Sequence, residues 1–512
     1  MKRSAGILIP LFSTRTPDDL GRGEIAGLYP AAELALALGH RMIQLLPVDE
    51  TAPGETSPYS AMSVLAIDPL YISSAALPGI GPAAMARARA AAGPGDPPDS
   101  SRLSAAKLEL LRRSFAYFQK RAAAHERSEL DAYAFAERDW LPDYALFRAL
   151  KERYRWSAWE SWPRELAARE PRALQAAARE LEHEISFYSY VQFIAYRQWR
   201  EMRKALAAKG VALGGDLAFS PCRESAEVWA NQSMFDLART VGAPPDAFSA
   251  TGQRWGLPMP AWGAMRAGGF ALIRARTRRA RQLFDLLRID HVVGLYRTYG
   301  FGADPEALGA FDPADPVDQL AQGEEIIGVI RKEAGEMELI AEDLGVIPPF
   351  VRRSLAALGI PGYKVMRWER EWDKAGQPFI PPAQYPENSV ATTGTHDTET
   401  LVEWWRAAPA AERDAFVAML GAGAGVDPQA ARLDDRATLA IIEALYGARS
   451  RLALAPAPDL FGWDARINVP GTVGDSNWKW RFPYPLADAA KNPALAARVA
   501  AIRAIAQRTR RF

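Results

Sequence analysis

The chain has 512 residues, of which 49% are hydrophobic and 24% are charged, and 62 basic against 61 acidic residues leave a net charge of +1. This balance argues against nucleic acid or an anionic membrane as the main partner, and it is ordinary for a globular protein with a large core. The single cysteine, Cys222, excludes an intrachain disulfide and any metal site built from several cysteines, which suits a reducing compartment.

The N-terminus offers no targeting segment. Only six residues precede the first apolar run at Ile7, too few for a signal peptide, and no stretch of 18 apolar residues predicts a membrane span. The sequence therefore predicts a cytoplasmic protein that does not enter the membrane.

Eight short, nearly continuous apolar runs follow one another along the chain, with helical patterns between most of them. Such runs are typical of parallel strands covered on both faces, and glycines such as Gly39 and Gly359 end the helical stretches. The alternation predicts a single catalytic domain over residues 1–512, an α/β fold of the (β/α)8 TIM-barrel type. The predicted strands are Ile7–Pro10, Met42–Val48, Val211–Leu217, Leu286–Asp290, Glu338–Glu342, Tyr363–Trp368, Ser389–Thr393 and Leu452–Ala455.

Two connections are too long for a simple crossover helix. Residues 76–209, after the second strand, predict a largely helical insertion with helices at Lys107–Ala124, Glu137–Tyr154 and Arg172–Lys209. Residues 218–267, before the fourth strand, are rich in Gly, Pro, Ser and Trp and predict a loop insertion near the active site.

Acidic residues stand at or just after the ends of four predicted strands: Asp216, Asp290, Glu342 and Asp397. Barrel enzymes place their catalytic groups at these ends, so the four carboxyl groups are expected to converge on one mouth. A buried carboxylate needs a metal, a basic neighbour or a catalytic use.

A metal site is the first alternative, because His291 and His396 each adjoin one of these acids. The spacing matches no known metal-binding pattern, so the sequence argues against a metal site. Paired carboxyl groups instead suit chemistry at a glycosidic bond, where one attacks and the other donates a proton. Arg288 would keep Asp290 ionised, whereas Glu342, followed by Asp343, could stay protonated.

Three strand-end motifs then point to a family. Arg-Ile-Asp-His at 288–291, Ala-Glu-Asp-Leu-Gly at 341–345 and Gly-Thr-His-Asp at 394–397 resemble, in that order, the amylomaltases, the 4-α-glucanotransferases of glycoside hydrolase family 77. The resemblance runs from Gly6 to about Arg481. Further matching segments are Ser57–Ser60, Asp68–Tyr71, Ser225–Asn231, Pro244–Gly256, Gly359–Val365 and Arg466–Thr472.

The resemblance implies a role for each matching residue. Asp290 would be the nucleophile, Glu342 the general acid and base, and Asp397 a third carboxylate that holds hydroxyls of the reacting sugar. The implied substrates are maltooligosaccharides, amylose or glycogen-derived glucans, with no metal or cofactor. The implied substrate-binding residues are Tyr59, Asp216, Trp255, Arg288, His291, His396 and, as an additional candidate, Glu369.

Two departures and two alternatives remain at this stage. Leu257 and Ala247 stand where many members have Asn and Tyr, which puts acceptor-side contacts of that loop in doubt. An α-glucan hydrolase would use the same carboxyl groups with water as the acceptor. A non-catalytic maltodextrin-binding protein could keep the barrel, although three intact carboxyl groups argue against it.

Overall fold

The computed structural model describes residues 2–245, 251–304, 307–421, 423–472, 474 and 476–512. Ala247 therefore lies outside the described residues. The strands of this part are β1 Ser4–Leu8, β2 Met42–Gln44, β3 Asp49–Thr51, β4 Ala61–Ile67, β5 Ala212–Leu217, β6 Phe235–Ala243, β7 Gln253–Pro260, β8 Leu286–Ile289, β9 Thr298–Phe301, β10 Ala310–Asp312, β11 Glu338–Ala341, β12 Gly362–Val365, β13 Ser389–Thr392 and β14 Leu452–Pro456.

Eight of these strands close into a barrel in chain order: β1, β2, β5, β8, β11, β12, β13 and β14, with β14 pairing back onto β1. Every neighbouring pair is parallel. The predicted (β/α)8 barrel is confirmed, and each of the eight apolar runs overlaps a barrel strand. The first strand begins earlier than predicted, because Ser4 and Ala5 pair with Leu452 and Ala453.

Close packing around the barrel explains the Gly-Gly pair in β5. A Cβ atom at Gly215 would lie 2.2 Å from the ring of Phe284, and one at Gly214 would lie 2.3 Å from the Gln44 amide oxygen. Neither distance is possible for a real side chain. The backbone of β5 can therefore approach its neighbours only with glycine at these two positions.

The helices surround the barrel and fill its long connections. They are α1 Leu28–Ala37, α2 Pro82–Ala92, α3 Ser100–Arg121, α4 Ala124–Ala136, α5 Leu141–Arg153, α6 Arg164–Ala167, α7 Pro171–Glu180, α8 Glu182–Ala208, α9 Ala226–Ala230, α10 Trp262–Ala267, α11 Ala271–Leu283, α12 Val293–Tyr296, α13 Pro316–Ala334, α14 Pro349–Ala357, α15 Leu401–Ala407, α16 Ala410–Leu420, α17 Asp435–Gly447, α18 Ala457–Phe461 and α19 Pro493–Arg508. In the described part of the chain, none of them is long and apolar enough to cross a bilayer.

Helices α2–α8 all lie between β4 and β5 and form a helical layer beside the barrel. Helix α3 starts seven residues before the predicted helix, since the Asp99 side chain caps it by accepting a hydrogen bond from the Arg102 amide at 3.0 Å. The stretch predicted as one helix over Arg172–Lys209 is two helices, α7 and α8, which meet at Leu181.

The second long connection contains strands that the sequence did not predict. β6 and β7 form an antiparallel hairpin, and β9 and β10 extend it into a four-stranded sheet in the order β10-β9-β6-β7. A smaller hairpin, β3 with β4, follows β2. Trp255 on β7 lies at the cleft described below, so this sheet forms part of the wall of the mouth.

Candidate active site

The carboxyl ends of the barrel strands surround a cleft of about 590 Å³. Asp290 directly follows β8, Glu342 directly follows β11, and Asp397 comes five residues after β13. All three residues line the cleft, together with Tyr59 and Trp255. The structure thus brings together the three carboxyl groups that the sequence placed at separate strand ends.

We call Asp216, Arg288, Asp290 and Glu342 the β8–β11 wall. The Arg288 guanidinium is at its centre. Nη1 of Arg288 donates to both oxygens of Asp216, at 2.7 and 2.6 Å, and to Oδ1 of Asp290 at 2.8 Å. Its Nη2 lies 3.6 Å from Oε2 of Glu342. One buried cation therefore holds three carboxyl groups from three adjacent strands.

The pKa values in this wall reflect burial first and neighbouring charges second. Burial and the nearby Asp290 and Asp397 carboxylates raise the pKa of Glu342 to about 8, although Arg288 and the His291 amide oppose this shift. Arg288 has a pKa raised well above its usual range, because the attraction of Asp216 and Asp290 outweighs burial. At neutral pH the wall therefore offers a protonated carboxyl group next to a permanent cation.

A residue with a strained backbone lies between the two main carboxyl groups, because it follows Asp290 in the chain and its amide contacts Glu342. His291 has φ of +44°, in the left-handed region, and its amide donates to Oε2 of Glu342 at 2.6 Å. Strain of this kind is typical of functional sites, where the surrounding fold enforces it. The His291 ring is enclosed by Trp255 and Phe219, with centroids 4.8 and 5.5 Å away, and burial lowers its pKa to about 4. The imidazole is therefore neutral at physiological pH.

We call His396, Asp397 and Asn468 the β13 wall, which is separated from β11 by one strand, β12. Nε2 of His396 lies 3.2 Å from Oδ2 of Asp397, and the Asn468 amide donates to Oδ1 of Asp397 at 2.6 Å. Burial acts to raise the pKa of Asp397, but His396 and Asn468 outweigh it and lower that pKa to about 2. Asp397 is therefore ionised throughout the physiological range.

An aromatic surface joins the two walls. Tyr59 stacks on His396 with centroids 5.3 Å apart, and Trp478 lies 5.7 Å from Tyr59 and 5.9 Å from His396. The Tyr59 hydroxyl donates to Asp216 at 2.8 Å. Tyrosine and tryptophan faces are suited to the apolar faces of sugar rings, and their polar edges suit hydroxyl groups.

Of the seven predicted substrate-binding residues, three line the cleft, namely Tyr59, Trp255 and His291, and four do not, namely Asp216, Arg288, Glu369 and His396. The Asp216 side chain is completely buried, and its oxygens are bonded to Arg288 and Tyr59. Glu369 forms an ion pair with Lys364 at 3.1 Å and is not among the cleft-lining residues. Asp343 turns away from Glu342 and accepts from the Tyr363 amide at 2.7 Å, so it is not among the main charges that raise the Glu342 pKa.

Sequence reasoning assigned no role to Asn468, Trp478 and Phe219. Asn468 lies in the segment Arg466–Thr472, which matched the family pattern, so that match was the only available indication. Among the described residues, no group of three or more His, Cys, Asp or Glu side chains could hold a metal ion.

Comparisons with known proteins agree with this geometry. The sequence profile of glycoside hydrolase family 77, described as 4-alpha-glucanotransferase, matches residues 9–487. The chain belongs to the 4-alpha-glucanotransferase family. The 4-alpha-glucanotransferase of Chlamydia caviae is 33% identical, over 97% of this chain and 94% of the relative. That of Thermus thermophilus is 34% identical, over 87% of this chain and 88% of the relative.

Solved structures show the same relationship. The amylomaltase from Streptococcus agalactiae, solved in complex with acarbose, superposes with a TM-score of 0.85 at 26% identity and full coverage of both chains. The amylomaltase from Corynebacterium glutamicum shares the fold, with a TM-score of 0.81 at 20% identity over 98% of this chain and 75% of that one. The protein is thus a 4-alpha-glucanotransferase, which favours glucan transfer over the hydrolase and the non-catalytic alternatives.

Proposed function

We propose that this 4-alpha-glucanotransferase moves a segment of an α-1,4-glucan to the 4-hydroxyl of an acceptor by a retaining double displacement at Asp290 and Glu342. One observation supports this assignment above all. Both carboxyl groups contact the same Arg288, at 2.8 and 3.6 Å, and the pKa of Glu342 is raised to about 8. The site therefore offers a carboxylate held by a cation beside a carboxyl group that can donate a proton, which is the pair that a retaining mechanism needs.

In the first step, an oxygen of Asp290 attacks the anomeric carbon of the donor. The glycosidic bond breaks, and the Glu342 proton goes to the departing oxygen, so the reducing-side fragment leaves as an alcohol. In the second step, the Glu342 carboxylate takes the proton of the acceptor 4-hydroxyl as that oxygen attacks the same carbon. The ester to Asp290 breaks, and both carboxyl groups return to their starting states.

The other residues act on charge and orientation. Arg288 orients Asp290 and offsets the negative charge of that carboxylate. The buried Asp216 carboxylate in turn holds the Arg288 guanidinium in place. The neutral His291 and the ionised Asp397 would hydrogen-bond to hydroxyls of the reacting sugar. Positive charge develops on that sugar in an oxocarbenium-like transition state, so the fixed Asp397 charge stabilises it.

The substrates we propose are maltooligosaccharides, amylose and glycogen-derived glucans. The tyrosine and tryptophan side chains of the cleft support this choice, and a relative of this fold was solved in complex with acarbose.

We place the enzyme in the cytoplasm, where its one cysteine, Cys222, would stay reduced. Expression with a compartment-specific tag and cell fractionation would test that placement.

The decisive experiment is incubation with maltotriose alone. Transfer should produce glucose and a ladder of longer maltooligosaccharides, while the number of reducing ends stays constant because every bond broken is replaced by another. Chromatography of the products and a reducing-end assay measure both quantities. The Asp290→Asn variant is the control and should produce neither. A steady rise in reducing ends without longer products would establish a hydrolase instead.

A further inference from the structure

Two exposed tryptophans follow β12. Trp368 is 42% exposed and Trp372 is 60% exposed. The chain has fifteen tryptophans, all among the described residues, and the other thirteen are buried or half-buried. Other aromatic side chains are also exposed, such as Phe135 at 69% and Tyr117 at 47%, but these two tryptophans stand only four residues apart on one segment.

The barrel topology places the segment after β12 at the active-site mouth. β12 lies between β11, which Glu342 follows, and β13, which precedes Asp397. All barrel strands are parallel, so the chain leaves β12 at the same end of the barrel as these two carboxyl groups. Trp368 comes three residues after the end of β12, so it lies at this end of the barrel, outside the cleft lining.

The segment is a hairpin with its own support. The Glu371 amide donates to the Pro378 carbonyl, and the Ile380 amide donates to the Glu369 carbonyl, each at 2.9 Å. Below them the Arg370 guanidinium lies 3.7 Å from the centre of the Phe379 ring.

The same guanidinium pairs with Glu412 of α16 at 2.8 Å. The hairpin is therefore tied to the body of the protein, and Trp372 is presented on a fixed backbone.

We propose that Trp368 and Trp372 form a platform for the part of an α-glucan chain that extends beyond the cleft. The inference rests on the proposed function. A cleft of about 590 Å³ is the size of a small-molecule site, so a polymer bound in it must continue outward across the rim. The exposed indole faces belong to the segment that leaves the barrel at that same end, outside the cleft lining, and the apolar face of a glucose ring packs well on them. The platform binds long glucans more tightly and does not contact short ones.

The test compares one long and one short donor. In the double variant Trp368→Ala/Trp372→Ala, the KM for amylose, with glucose as acceptor, should rise about 2- to 10-fold. The KM and kcat for maltotriose should stay at their wild-type values. The single variant Trp372→Phe keeps an aromatic face at position 372, so its KM for amylose should stay close to that of the unmodified enzyme. Phe135→Ala is the matched control, because Phe135 is 69% exposed on α4, away from the barrel strands, and should change neither donor.

A binding measurement removes turnover from the comparison. Asp290→Asn protein, with and without the double substitution, is run through native gels that contain amylose, and loss of the tryptophans should reduce the retardation. Equal retardation, together with an unchanged KM for amylose, would overturn the platform. If the unmodified enzyme forms no ladder from maltotriose, the proposed function fails instead, so the two failures are distinguishable. Circular dichroism verifies that each variant is folded.

Discussion

The two walls of the cleft shift the pKa of a carboxyl group in opposite directions. In the β8–β11 wall, Glu342 accepts one backbone hydrogen bond and faces two other carboxylates, and its pKa is raised to about 8. In the β13 wall, Asp397 is held by His396 and Asn468, and its pKa is lowered to about 2. Both residues line one cleft.

This difference shows that local bonding and exposure together assign the acid–base roles, since the Asp397 side chain is 42% exposed and that of Glu342 is 18% exposed. Burial favours the protonated form of both carboxyl groups. Asp397 overcomes it because two polar side chains stabilise its charge, whereas the cation next to Glu342 is shared with Asp216 and Asp290. A proton donor and a permanent anion can therefore line the same cleft.

The largest expected effect separates two residues of the β8–β11 wall. Asp290→Asn removes the nucleophile, and transfer from any donor should fall by on the order of 10⁴-fold or more. Glu342→Gln removes the acid, which a donor with a good leaving group, such as α-maltosyl fluoride, does not need. The covalent intermediate should then accumulate, because its breakdown lacks a base. Intact-protein mass spectrometry should show an added glycosyl mass on Glu342→Gln.

Peptide mapping locates that adduct and provides the control. The added mass should lie on the peptide that contains Asp290. An adduct on Asp397 or Asp216 would reverse the assignment of the nucleophile. Normal transfer by Asp290→Asn would remove the covalent mechanism altogether.

A smaller effect is expected in the β13 wall. Asn468→Ala removes a charge-assisted hydrogen bond to Asp397, and such bonds contribute about 1.5–3 kcal/mol. If that energy is used in the transition state, kcat on maltotriose should fall about 10- to 100-fold with the fold intact. Steady-state kinetics measures the change.

Asn492→Ala is the matched control for that substitution. The Asn492 side chain caps α19 by accepting from the Ala494 amide at 3.0 Å, and it is absent from the cleft lining. Its loss should cost about 1 kcal/mol of unfolding free energy without changing kcat. An unchanged kcat in Asn468→Ala would mean that His396 alone is sufficient to hold Asp397.

The sequence predicted the barrel well because its strands are buried on both faces. Such strands appear as apolar runs that need no partner to be recognised. The hairpin of β6 and β7 escaped prediction for the opposite reason. Many of its residues are half-buried or exposed, and β7 contains Pro258, Pro260 and Gly256, which are typical of loops. Its strands form because they pair with each other and with β9, which no local pattern reveals.

The site divides in the same way. Asp290, Glu342 and Asp397 could be found because they stand next to strand ends, and the topology then brings those ends together. Asn468 and Trp478 belong to the stretch between α18 and α19, and both line the cleft. Their contacts with Asp397 and Tyr59 span 71 and 419 residues of sequence, so only the folded chain shows them.

The smallest effect expected here concerns pH and tests the Glu342 side of the comparison. The first step needs protonated Glu342, whose raised pKa is about 8. Below that pH the acid is present, and above it kcat/KM for maltotriose should fall about tenfold for each further pH unit. With α-maltosyl fluoride, which needs no acid, single-turnover formation of the glycosyl-enzyme should lack this alkaline decline. The same decline with both donors would mean that the titrating group is not Glu342. The difference in pKa between the two walls would then not explain which carboxyl group acts as the acid.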